Sequence, residues 1–435
     1  MRLTNSLKPI LAITLACTFL SACNSIYSSD TITSTEVTGH AVVDTYIQIA
    51  EANYKDSLMT AKALDKSIDN FLNSPSQANL ELSKQAWVAA RTPYQQTEVY
   101  RFGNAVVDAW EGKVNAWPLD EGLIDYVDTA YGSDLDENPF YSANIIANPK
   151  PIIGGKTVDA KVISKSFLSD TLHEIDEVES NVATGYHVIE FLLWGQDLNG
   201  TNPGAGNRPA TDFSLTNCSG GNCDRRRAYL KSASSLLIDD LQYMSDSWRA
   251  EGEARQELLA KGNKGGLTTI LTGMGSLAYG ELAGERIKLG LMLHDPEEEH
   301  DCFSDNTHWS HFYDAKGIKN IYLGEYKNSQ GELIQGASLS DLVKKAQPKL
   351  DEEMRSKLAS TETAMQVMVD QALNGNTFDV LIGEGNTVGN QIIKDIVDAL
   401  VDQARTTEKL INTLALGTVE IEGSDSLDNP KAVFE

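Results

Sequence analysis

The sequence predicts an all-α protein of two similar helical bundles, and three observations carry that expectation. Apolar residues recur at three- and four-residue steps through most of the chain. Strand-like alternation is scarce. The order of parts also repeats loosely: each half has long paired helices, an aromatic–small–acidic helix ("PYQQTEVYRFGN", then "LAYGELAGERIKLG") and an acidic irregular loop. The 435 residues exceed one simple core, so two units of about 200 residues each are expected.

The first long helix is read from about Ala41, with Ile47, Ala50, Tyr54, Leu58, Ala61, Leu64, Ile68 and Phe71 on one face. "NSPSQ" ends it and starts the next, with Ser74 as cap, Pro75 at the first helical position and Gln77 completing a capping box. A second helix follows, strained near Pro93. "NAWPLDEGLIDYVDTAYGSDLDENPFY" reads as a long loop, the kind that is functional when it occurs in a compact domain. Residues 195–224, rich in Gly, Asn and Pro, form the break between halves. The expected bundles therefore run over 41–215 and 225–435. In the second, "ILTGMGSLAYGELAGERIKLGLML" is helical but heavy in small residues, which permit close backbone approach.

The first 22 residues read as a secretory signal: Arg2 and Lys8, an apolar run from Pro9 to Leu20, then small residues. Leu20-Ser21-Ala22-Cys23 resembles a bacterial lipobox, so Cys23 is the expected lipidated N-terminus, and Ser/Thr-rich residues 23–40 are a tether. Asn24 in place of Asp favours the outer membrane, with the body facing the periplasm and only the lipid in the membrane. The net charge of −26 argues against a nucleic-acid partner. In that oxidising compartment Cys218 and Cys223, flanking "SGGN", are expected to form a disulfide rather than half a metal site, leaving Cys302 as a free thiol.

The segment "TGYHVIEFLLWGQDLNG" (184–200) concentrates the chemistry. His187 and Glu190 share one helical face among Val188, Ile189, Phe191, Leu192, Leu193 and Trp194. A carboxylate in such a wall costs several kcal/mol unless paired, protonated or metal-bound. Imidazole and carboxylate together suit zinc or iron; a His–Glu hydrogen bond that merely orders the core is the alternative. One histidine stands where a zincin needs two. Glu98 is either a surface partner of Arg101 or a further ligand. Trp117 and Asp120 mark a pocket rim. Four histidines crowd into "HDPEEEHDCFSDNTHWSHF", from which His300, Asp305 and His308 are candidate contributors, while Glu297, Glu298 and Glu299 read as a solvated face or helix start.

Gly185-x-His187-x-x-Glu190 continued by "FLLWGQDL", with "RTPYQQTEVYRFGN", "VNAWPLDEGLIDYV", "GERIKLGLML" and "EEEHDCFSDNTH", resembles the imelysin family of bacterial envelope proteins, especially its iron-regulated lipoprotein branch. The likeness runs from about residue 41 to the C-terminus. It implies two helical bundles with a cleft and site between them, a role in iron uptake beside envelope iron-uptake proteins, and His187 and Glu190 as functional residues. It implies binding of a divalent or transition metal ion, iron or zinc, or of an iron-containing ligand. Metal-dependent peptidase activity is the alternative the family name carries. A metal-free organic ligand in a cleft lined by the aromatics of 94–126 is a third.

Overall fold

Residues 37–132, 138–153 and 155–434 are described by a computed structural model. The signal segment, Cys23 and the tether up to residue 36 lie outside the described residues. Among those described, no helix is long and apolar enough to cross a membrane.

Helix α1 spans Gly39–Asn73, with the Thr38 side chain accepting from the Ala41 N–H at its start. Its eight periodic residues from Ile47 to Phe71 are all buried, each contributing about 1–3 kcal/mol of hydrophobic stabilisation. Helix α2 spans Gln77–Gln95. The cap is displaced from expectation: Ser74 closes α1, and it is Ser76 whose side chain accepts from the Asn79 N–H. Two serines two residues apart offer the same chemistry, and the extended backbone of Ser76 decides between them. Pro93 lies inside α2, which ends two residues later. The Pro93 carbonyl accepts from Asn53 Nδ2 at 2.6 Å.

Helix α3 (Ala105–Asn115) is followed by the long irregular stretch, which among the described residues holds short turns, a two-stranded hairpin of Ile152–Ile153 with Lys156–Thr157, and a short helical segment of Lys165–Phe167 continued by Leu168–Leu172. Helix α4 (Gly185–Trp194) packs on α2, α3 and α5 (Cys223–Ser247), and every residue of it is buried. Helices α6 (Glu253–Ala260) and α7 (Gly262–Ser276) follow. The chain continues from α7 as a π-helix over Leu277–Lys288 and returns to α-helix in α8 (Leu289–Leu293). Small residues do permit close approach here: a Cβ on Gly273 would sit 2.2 Å from the Val99 carbonyl oxygen. The π winding was not foreseen.

Helices α9 (Thr307–Leu323), α10 (Leu339–Ala346), α11 (Pro348–Ala372), α12 (Phe378–Ile382) and α13 (Thr387–Thr413) complete the body, with a second hairpin pairing Glu325–Lys327 and Leu333–Gln335. The architecture is all-α. Elements from either side of the 195–224 break pack directly together: α1 lies on α5 and α7, and α2 lies on α9. From Val37 onward the chain forms one compact unit. Within it, Tyr46, Tyr54, Tyr100, Trp110 and Trp248 form an aromatic core, with neighbouring ring centroids 4.9–6.2 Å apart. Tyr94, Tyr100 and Trp110 are thus interior packing, not the lining of an open cleft.

Candidate metal centre

Gly185 starts α4 with φ +88°, and a Cβ there would meet the Val114 carbonyl oxygen at 2.5 Å. Only glycine fits both demands. This close approach of α4 to the end of α3 lets the next turn carry His187 and Glu190 inward, where they are 1% and 0% exposed. His187 Nδ1 and Glu190 Oε2 are 3.0 Å apart. Glu190 Oε1 accepts from Ser304 N–H at 2.9 Å and Ser304 Oγ at 2.6 Å. Both carboxylate oxygens are therefore engaged, and His187 Nε2 is buried without a partner.

Further polar groups face that nitrogen from the segment before α9. The His300 ring lies 4.8 Å from that of His187, centroid to centroid, and neither of its nitrogens has a partner. His187, His300 and Asp301 each offer a ligand atom, all within 4.8 Å of one another. Trp117 edges onto His300 at 5.4 Å and donates from Nε1 to the Glu299 carbonyl. His311, on α9, stacks 6.1 Å beyond His300, and both its nitrogens are also unpartnered.

The charge balance is set by Arg91, which donates to Asp301 Oδ1 at 2.9 Å and to Asn115 at 2.5 Å. Asp301 Oδ2 accepts from Asn306 and Ser310. Burial pushes His187 down to about 3, with Arg91 adding to the effect. Burial likewise holds His300 well below the usual imidazole range. Both rings are neutral at pH 7, as metal-ligating imidazoles must be. Burial, then Asp301, push the Glu190 carboxyl well up, while the Ser304 donors oppose this. Asp301 is held down despite its burial, chiefly by Arg91.

The other expected site residues divide. Glu98 is buried but bonds Arg286 at 2.7 Å, not Arg101, and stands apart from the His187 cluster. Arg101 instead pairs with Asp108 at 3.0 Å and Glu281 at 3.3 Å. Arg286 also pairs with Asp314 and Glu281, so Glu98 belongs to an arginine-centred network around the π-helix. Asp120 bonds Asn138 and Ser180 and ties the irregular loop together. His308 is buried beside Trp309, 5.8 Å between rings. Asp305 groups with Asp197 and Asp379, three carboxylates each with an oxygen within 4.8 Å of the others. Cys218 and Cys223 are disulfide-bonded and Cys302 is free. Glu299 corrects the solvated-face reading: it is 1% exposed.

Asp301, Arg91 and Ser304 were missed, and His311 is one of the four clustered histidines but was not singled out. Asp301 lay within a quoted stretch, hidden among five other acids. Arg91 had a signal, an arginine between Ala90 and Tyr94 on the apolar stripe of α2.

The family model described as Imelysin (Peptidase_M75) matches residues 50–407. Iron-regulated protein A of Synechococcus elongatus is 29% identical over 99 residues, a stretch covering 22% of this chain and 28% of that protein. Among solved structures, one described provisionally as an iron-regulated protein A precursor from Parabacteroides distasonis is similar in fold. Its TM-score is 0.62 at 20% identity, covering 86% of this chain and 94% of that one. An imelysin-like protein from Psychrobacter arcticum gives 0.57 at 16% identity, over 88% of this chain and 99% of the other. With most of its length matched by the family model and its fold shared with these structures, the chain belongs to the imelysin family.

Proposed function

We propose that this protein binds a transition metal ion, iron or zinc, or a small iron-bearing ligand, in the bacterial envelope, with His187, His300 and Asp301 as the holding residues. The observation that carries the reading is the buried, unpartnered His187 Nε2 facing two equally unpartnered nitrogens of His300. A buried polar atom left unmade costs about 1–3 kcal/mol, and coordination relieves that cost. With the His187 proton on Nδ1, Glu190 accepts it at 3.0 Å and Nε2 is left as the ligand atom, the arrangement in which a carboxylate orients a metal-binding imidazole. Glu190 is thus a positioning residue in this reading rather than a ligand. A bound cation would supply a Lewis-acidic centre that can hold an oxygen- or nitrogen-bearing group.

The iron association is supported by the similarity to iron-regulated protein A, and the envelope location by the leader with Cys23. On that reading the body hangs on a lipid anchor at the outer membrane, faces the periplasm, and passes its cargo to envelope iron-uptake proteins. Peptidase action through Glu190 as base is the alternative reading; the Glu190 oxygens are engaged by His187 and Ser304 much as those of Asp301 are by Arg91, Asn306 and Ser310. For an organic ligand, an open cleft of about 400 Å³ runs beside Tyr126, Trp194 and Arg208, and the His187 cluster is not part of its lining.

Elemental analysis of the protein purified from its native envelope tests the reading. About one equivalent of iron or zinc is expected in wild type and almost none in His187→Ala. Equal metal in both removes the proposal.

A further inference from the structure

A second group of donors differs in kind from the histidine cluster. Asp197 follows α4, Asp305 precedes α9, and Asp379 lies on α12, so three separate parts of the chain bring carboxylates within 4.8 Å. Asp197 Oδ1 is held by the Asn199 backbone and side chain. Asp379 is 0% exposed, and its oxygens make no well-formed hydrogen bond, the Thr377 hydroxyl and the Val380 N–H being the donors nearby; Asp305 Oδ1 is unpartnered as well. Glu299 adds a fourth acid. It is 1% exposed with Oε1 unpartnered, and the charges acting on it most strongly are those of Asp379 and Asp305.

No lysine or arginine is among the charges that chiefly act on Asp305 or Asp379; burial and neighbouring acids push Asp305 up to about 8 and Asp379 up to about 6, against the opposing donors at Gly204, Thr377 and Val380. This contrasts with every other strongly buried carboxylate described above, which has an arginine or several donors. Burying several acids together without a counter-charge costs several kcal/mol. A tie to protons alone would satisfy charge but leave most of the oxygens without donors.

We propose that Asp197, Asp305 and Asp379, with Glu299 alongside, form a second cation site that takes a hard divalent ion of the calcium class. The donors are all oxygen, which selects against the softer ions that imidazoles prefer. Oxygens up to 4.8 Å apart fit around an ion with metal–oxygen bonds of roughly 2.3–2.6 Å. Because the three acids come from the ends of α4, the segment before α9, and α12, the ion would clamp the same chain segments that carry His187 and His300. The site does not rest on the histidine reading.

The test is calcium chloride titrated calorimetrically into the chelator-stripped chain, with thermal unfolding as a second readout. One calcium is expected, raising the unfolding temperature of wild type. Asp379→Asn should weaken calcium binding about a hundredfold while unfolding at the same or a higher temperature in calcium-free buffer, since it removes a charge from among its like. His187→Ala should bind calcium as wild type does. Asp197→Asn, at the partly exposed edge, provides the same reading should Asp379→Asn fold poorly. The proposal is overturned by a wild type that binds no calcium, by Asp379→Asn and Asp197→Asn binding it undiminished, or by calcium affinity that falls with His187→Ala instead.

Discussion

Two buried polar clusters, one around Asp125 and one around His187, show what full and partial pairing mean. Around Asp125, Arg226 donates from Nε at 2.5 Å and from Nη2 at 2.8 Å, while Arg208 donates at 2.8 Å. Asp212 accepts from Arg208 and Tyr126, and the two guanidiniums lie over the Tyr126 ring at 5.0 and 5.3 Å. Two arginines meet two aspartates, so the buried charges balance, although Arg208 Nε has no partner. Around His187 the burial is the same, yet five ring nitrogens of His187, His300 and His311 have no partner. The first cluster balances its own charge with protein groups. In the proposed reading the second is completed by an added ion, and that difference would separate a structural network from a binding site.

Breaking the charge-balanced cluster should have the larger effect on stability. Arg226→Ala leaves Asp125 and Asp212 sharing Arg208 alone, one buried negative charge uncompensated, and should cost about 3–5 kcal/mol, seen as a large fall in denaturant midpoint with metal stoichiometry unchanged. A variant that lost metal instead would erase the distinction. Gly185→Ala should follow, losing about 1–3 kcal/mol from strain at φ +88° against the Val114 carbonyl. Because α4 would shift, metal affinity should fall with it.

Glu190→Gln sharpens the comparison from the other side. It keeps the shape but weakens the orientation of His187, and should lower metal affinity about 10–100-fold with little change in unfolding of the metal-free chain. Titration calorimetry with zinc reads the affinity, and thermal unfolding of the metal-free chain reads the stability. An unchanged affinity would place Glu190 outside the site.

Acidity tests the histidine cluster in a milder way. His187 and His311 are held down to about 3 and His308 to about 4 by burial. Their folded values lie below the unfolded 6.5, so the unfolded chain binds more protons between those limits. These rings alone therefore make the metal-free protein less stable as pH drops below about 6.5, by about 1.4 kcal/mol per pH unit for each ring, while the raised carboxyls of Asp305 and Asp379 act in the opposite sense, so the histidine contribution is read as the difference between wild type and a histidine variant. Replacing His308 by Gln should flatten that slope in urea titrations at pH 5 to 7; an unaltered slope would mean that this ring charges freely in the folded state.

Much of the fold was legible because helices announce themselves locally. The α1 stripe from Ile47 to Phe71 and the buried α4 segment follow directly from residue spacing. His187, Glu190, His300 and Trp117 were legible as chemistry placed among apolar neighbours or aromatic loops. What escaped depends on contacts distant in the chain. Arg91 meets Asp301 across 210 positions and Glu98 meets Arg286 across 188, and no local pattern reveals either partner. Glu299 looked solvated because three consecutive acids usually are, whereas the turn at Pro296–Glu298 rotates the third inward.

The central claim concerns atoms: His187 Nε2 and a His300 nitrogen meet one ion. X-ray absorption at the metal edge of the zinc- or iron-loaded protein reads this directly. Two imidazoles with oxygen completing the shell are expected, dropping to one imidazole in His300→Ala. A shell of oxygen alone, or a spectrum unaltered by that substitution, would contradict the account.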